Sequence, residues 1–193
     1  MVKSWKNEVH GLKFVNFQSV DSVMENLKFN NLKRKLESWS KKSTSISDFV
    51  GRHCGIIVSN YRENTYFIFD DLSLVGFFVA ETKNRGAGYK LFYGNDVKGE
   101  NPFTLKYLAI APSKQHKGYG TKIISCIEEN LEFFGGNLEN DSLCALVSVF
   151  NAPSKCLLSK NGYERLDLKN FSDEIDDPCC LFCKPISKEK ILE

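Results

Sequence analysis

With 193 residues, a net charge of +2 and 42% apolar residues, the chain has the length for one globular domain, 1–193, and enough apolar side chains to bury a core. Charged residues at 26% together with 15 Phe exclude a disordered, collagen-like or low-complexity chain. The small positive excess exerts no general pull toward nucleic acid, and no apolar run approaches the roughly 18 residues of a spanning helix.

The first residues, Met1-Val2-Lys3-Ser4-Trp5-Lys6-Asn7-Glu8, are polar and lack the apolar stretch of a signal peptide. Seven cysteines, an odd number in a chain that needs no covalent staples, predict free reduced thiols. Both features point to the cytoplasm, with no membrane partner. Cys180-Leu181-Phe182-Cys183 has the spacing of a metal ligand pair. It lies in a strand-like run, where positions three apart face opposite ways, so no metal is expected.

In chain order, a helical N-terminal part covers about 1–50. Apolar residues recur at helical spacing over 20–29 and 31–42, with Asn30-Asn31 as a break between two short helices. The Ser/Thr-rich 42–48 reads as a loop. Short β-branched and aromatic runs follow at Gly55–Val58, Thr65–Phe69 and Ser73–Ala80, the last two close enough for an antiparallel hairpin. The polar segment Thr82–Asn101 is longer than ordinary connections and is expected to shape a substrate entrance. Its Arg85-Gly86-Ala87-Gly88 lacks the strand before and the helix after that a phosphate cradle needs.

From Thr104 strands and helices alternate: a strand to Ala111, a helix over 118–134, a strand Leu143–Phe150, a helix over 152–160 and a strand near 179–185. Such alternation brings parallel pairing into a sheet that also holds a hairpin, so an α/β (α+β) fold with a mixed sheet is expected.

The stretch that carries chemistry runs from Tyr107 through Pro112 to Thr121 and reads strand, loop, glycine turn, helix. Gly118 and Gly120 permit close backbone approach. The helix that opens there offers N–H groups and a positive dipole end to an anion, with Lys114, His116 and Lys117 beside it. No glycine lies five positions before Gly118 and no full G-x-G-x-x-G is present, which argues against a Walker loop and a dinucleotide fingerprint.

These residues resemble the GCN5-related N-acetyltransferase (GNAT) superfamily, whose [RQ]-x-x-G-x-[GA] signature is met by Gln115, Gly118 and Gly120. Asn151-Ala152-Pro153-Ser154 and Lys160-Asn161-Gly162-Tyr163-Glu164 follow at family-like spacing, and the core of the likeness spans about 104–165. The resemblance implies a GNAT-like, mostly antiparallel central sheet flanked by helices. It also implies an acetyl-CoA-dependent N-acetyltransferase that passes the acetyl group directly to a primary amine, without a metal.

In that reading Gln115, His116, Lys117, Gly118, Tyr119, Gly120 and Thr121 hold the pyrophosphate. Leu108, Ala109 and Ile110 bind the pantetheine arm in strand fashion, and Asn151 contacts the same arm. Many family members place a tyrosine four residues before the glycine of the K-x-G-F-E-like segment, as proton donor to the departing thiolate. Here that position is Leu158, which leaves Ser159 as the candidate acid, with Ser154, Cys156 or water as alternatives. Glu81 is the first candidate for the base and Glu100 the other. His10 and His53 lie outside the resemblance.

Two further readings stay open: an acyl-CoA sensor or scaffold with little catalysis, and an acetyltransferase acting on a macromolecule. For the latter the acceptor would be a protein amine or an aminoacyl-tRNA, the basic Lys33-Arg34-Lys35 and Lys41-Lys42 clusters being the motive. A homodimer is also open, since family members pair through varied surfaces.

Overall fold

The computed structural model describes residues 2–7, 10–17, 23–40, 49–81, 102–136, 142–166 and 179–186. The expected loops at 42–48 and Thr82–Asn101 and the residues Lys41, Lys42 and Glu100 therefore lie outside the described residues. The chain divides into two compact units, residues 1–80 with 107–126, and residues 81–106 with 127–193.

In the first unit, β1 (Val2–Lys6) and β2 (Leu12–Phe17) form an antiparallel hairpin, Val2 opposite Phe17. β2 pairs antiparallel with β3 (Thr65–Asp70), and β3 with β4 (Ser73–Glu81). The tight β3–β4 connection is the expected hairpin, with Asp71 at φ 51 in its turn. β3 and β4 read as continuous apolar runs because both their faces are covered. Phe67 and Phe77 belong to a core with Phe17, Phe29, Leu36 and Trp39. Tyr66 and Phe78, their neighbours in sequence, stack on each other with ring centroids 5.0 Å apart. Burial pushes the Tyr66 phenol up to about 12.

Two helices, α1 (Val23–Ser40) and α2 (Phe49–Asn60), supply half of this core. α1 runs unbroken through Asn30-Asn31, where two helices were expected. Asn costs a helix only about 0.7 kcal/mol or less, and Phe29 and Leu36, seven apart and both buried, hold the stripe together across it. Gly55–Val58, expected as a strand, is the middle of α2. Cys54, Ile57 and Val58 are buried while Ile56 is 62% exposed, a period of three to four that outweighs β-branched composition. The β1–β2 hairpin falls in the part expected to be helical. Leu12 and Phe14 are buried with Lys13 exposed between them, the alternation of a one-sided strand.

β5 (Phe103–Ile110) and α3 (Tyr119–Glu129) each run through both units. In the second unit β5 pairs parallel with β6 (Ser142–Ser148) at Phe103↔Leu143 and Thr104↔Cys144. β6 pairs antiparallel with β8 (Cys179–Pro185), and β8 with the short β7 (Glu164–Leu166). The expected mixed, mostly antiparallel α/β fold is the one observed. α4 (Ala152–Lys160) begins and ends where the sequence places it. α3 is shorter than expected: turns follow from Leu131, and Gly135 at φ 89 closes them.

The expectation of free thiols fails at one pair. Cys144 on β6 and Cys183 on β8 stand directly opposite in the antiparallel register and form a disulfide. Sequence spacing could not reveal it, because the two residues lie 39 apart and meet only through strand pairing. Cys180 faces away from Cys183 as strand alternation requires and lies outside the disulfide, as do Cys54, Cys126 and Cys156. Among the described residues no helix is long and apolar enough to cross a membrane.

Candidate functional site

In the first unit, β4 carries a bulge at Val75 and lies close against β5. The β3–β4 register slips there, with Ile68 opposite Gly76 but Phe69 opposite Leu74. The Val75 carbonyl accepts a 2.7 Å hydrogen bond from the Ala111 N–H, just past the end of β5. A Cβ at Gly76 would collide with the Ala109 carbonyl oxygen, so only glycine lets β4 lie against this part of β5. Sequence analysis did not single out Gly76; a glycine inside an apolar strand run is the signal that could have found it. Leu108, Ala109 and Ile110, the expected strand contacts, are half-buried here.

After Ala111 a single 3-10 turn, Pro112–Lys114, leads into the loop. Gln115 folds back so that its side-chain amide donates to the Ile110 carbonyl at 3.2 Å. His116 follows at φ 60 and Gly118 at φ 79, two left-handed residues flanking Lys117, whose ammonium donates to the Ser113 carbonyl at 2.8 Å. For His116 that conformation costs energy relative to ordinary helical or extended backbone. At Gly118 a Cβ would meet nothing within 4 Å, so the turn opens onto space. The Lys122 N–H donates to the Gly118 carbonyl at 3.2 Å, which starts the intrahelical bonding of α3 and leaves the preceding N–H groups without intrahelical partners.

Tyr119, between the two glycines, has two cations over its ring. The Lys114 and Lys122 ammonium groups each stand 5.6 Å from its centroid. Its hydroxyl hydrogen-bonds the carboxylate of Asp70 at the end of β3. That bond, more than burial or the nearby negative charge, pushes the phenol above its usual range and keeps the O–H protonated as donor. α3 carries no acidic residue in its first turn. Exposed His116 and Lys117, the open Gly118 and the α3 N-terminus make a surface that fits an anionic, phosphate-bearing group.

The second unit holds the other expected residues. Glu81, the last residue of β4, pairs with Lys106 of β5, Oε2 to Nζ at 3.3 Å, with both side chains largely buried. Lys106 was not foreseen. Asn151 caps α4: its Oδ1 accepts from the Ser154 N–H at 3.1 Å, an N-cap followed by Pro153 in the first turn. Leu158 is buried and is the inward residue of α4, whereas Ser159 beside it is exposed. Tyr163 is buried in the core. Its hydroxyl is driven far up, first by burial and then by the Glu128 carboxylate. Glu128 in turn pairs with Lys184 at 2.7 Å. Among the described residues no group of three or more His, Cys, Asp or Glu side chains is placed to hold a metal ion.

No family model matches the sequence, and no curated protein matches it. Solved structures do. A protein assigned to the GNAT family of acetyltransferases from Desulfovibrio desulfuricans superposes with a TM-score of 0.55 at 15% identity, over 91% of this chain and 99% of that one. A GNAT-family acetyltransferase from Listeria monocytogenes matches at 0.55 and 13% identity, over 95% of this chain and 99% of that one. A chain of the NatC complex, solved with Gag peptide and CoA, matches at 0.52 and 14% identity, over 91% and 99%. At these identities the likeness is one of fold, and the fold this chain shares is that of the GCN5-related N-acetyltransferases.

Proposed function

We propose that this chain is an acetyl-CoA-dependent N-acetyltransferase that passes the acetyl group directly to a primary amine. The observation that carries the reading is the turn from Gln115 to Thr121. It combines the family signature, two left-handed residues, open space at Gly118 and a helix start without acidic residues. In this reading the turn's N–H groups and its flanking cations bind the pyrophosphate, and Leu108, Ala109 and Ile110 hold the pantetheine arm along the strand. The bound thioester supplies the activated acetyl group. An N–H near Ile110 polarises its carbonyl and stabilises the negative charge that develops as the amine attacks.

The remaining roles come from the resemblance. Glu81 takes the proton that the amine loses, its carboxylate oriented by the ion pair with Lys106. Ser159 gives a proton to the thiolate, and Asn151 binds the pantetheine arm while its Oδ1 caps α4. Leu158 in place of the family's tyrosine favours a second reading, an acyl-CoA sensor or scaffold that binds without turning over. The NatC structure was solved with a peptide as well as CoA, which keeps a protein amine among the acceptor classes to be tried. An aminoacyl-tRNA rests only on the basic clusters, and Lys33 of α1 lies 3.9 Å from Glu37.

Thermal unfolding with and without acetyl-CoA or CoA tests the site before the substrate, because a ligand of the native state raises apparent stability. An upward shift is the expected result, and a panel of amines read by thiol release then separates enzyme from sensor. No shift at saturating ligand would remove both acyl-CoA readings.

A further inference from the structure

We infer that Tyr119 is a positioning residue for the anion-binding turn, and that cofactor affinity depends on the hydrogen bond between its hydroxyl and Asp70. This rests on the acyl-CoA reading of the turn and extends it to two residues, one of which, Asp70, lies 49 positions away in the sequence. The turn needs such an anchor. Gln115 through Gly118 are exposed, and His116 and Gly118 are both left-handed, a conformation that an unsupported loop leaves readily. Gln115 holds the start of the loop to the Ile110 carbonyl, and Lys117 spans its middle to the Ser113 carbonyl. At the helix end Tyr119 reaches a separate element, its hydroxyl donating to the carboxylate of Asp70, the last residue of β3.

The clasp also arranges charge. With the hydroxyl tied to Asp70 the ring is held, and the two lysine ammonium groups stay over it, 5.6 Å from its centroid. Neither lysine forms an ion pair among the described residues. The phenol therefore fixes the backbone that binds the anion and holds cations near it, without touching the reacting atoms.

Tyr119→Phe separates these parts, because it keeps the ring and its cation contacts and removes only the hydroxyl. Calorimetric titration with CoA is expected to show roughly tenfold weaker binding, the scale of a lost hydrogen bond to a charged group. Asp70→Ala, which breaks the bond from the other end, is expected to match it, and the double variant to be no weaker than either single one. Asp70→Asn retains an acceptor oxygen and is expected to bind within about threefold of the wild type. In turnover with an acyl donor, the donor KM rises while kcat holds. CoA affinity unchanged in Tyr119→Phe and Asp70→Ala, whatever happens to the melting temperature, overturns the inference and leaves the acyl-CoA reading standing. Absence of CoA binding by the wild-type chain removes both.

Discussion

The turn at Gln115–Thr121 and the helix α4 at Ala152–Lys160 carry the two halves of the family likeness, and they are built in opposite ways. In the turn the work is done by backbone: left-handed residues, an open glycine, a helix start, and a tyrosine that clamps the frame. In α4 it is done by side chains, and these have structural duties of their own. Asn151 caps the helix, Leu158 is buried, and Ser159 alone of the three is exposed. A backbone site tolerates wide change in side chains, provided glycine stays where φ or space demands it. A side-chain site does not, which fits a chain whose turn matches the family signature while position 158 holds leucine where many family members have tyrosine.

The largest test of this contrast lies beneath the turn. Gly76→Val places atoms where the Ala109 carbonyl oxygen sits, so β4 and β5 must part along the stretch that includes Ala109 and Ile110. We expect a stability loss of about 2–4 kcal/mol by chemical denaturation, in the range of overpacking with backbone displacement, and at least tenfold weaker CoA binding. Retained affinity in a folded Gly76→Val would show that the strand geometry does not matter to the ligand, and the contrast would lose its backbone half.

A smaller effect is expected at Asn151→Ala. Loss of the Oδ1 bond to the Ser154 N–H should lower stability by about 1 kcal/mol. Asn151→Asp keeps a capping oxygen and should restore stability. CoA affinity measured on the same pair sharpens the comparison: if it follows stability, the residue serves α4 alone, and if it stays low in the aspartate variant, the amide also contacts the ligand.

Sequence legibility followed the same division. The strand–turn–helix from Phe103 to Glu129 could be read because glycine, proline and a clean apolar stripe report backbone state directly. The β3–β4 hairpin and α4 were legible for the same reason, through short turns and a capping residue. Gly55–Val58 misled because valine and isoleucine suit a strand in isolation, and only burial of Cys54, Ile57 and Val58 together shows the helix. Asp70 with Tyr119, Glu81 with Lys106 and Cys144 with Cys183 were invisible, since each pair is joined by tertiary folding across many residues. Glycine turns, short hairpin connections and a clean helical stripe were readable, whereas the β1–β2 hairpin, the helix α2 and the pairs joined by tertiary folding were not.

The smallest expected effect is also the one that decides the side-chain half. Ser159 is exposed on α4, so Ser159→Ala should change stability by less than about 0.5 kcal/mol, the usual range for an exposed substitution. Its kinetic effect depends on how much help the leaving group needs. A positioned general acid contributes roughly 10²- to 10⁴-fold where the leaving group is poor, but a thiol of pKa near ~8.5 departs readily as the anion. We therefore expect kcat to fall by less than about tenfold, a fraction of the usual general-acid contribution, with donor KM unchanged. A fall beyond about a hundredfold would make Ser159 a true replacement for the missing tyrosine. An unchanged kcat would assign the proton to water, and the substitution of leucine at position 158 would then have been tolerated because the reaction never depended strongly on a side-chain acid.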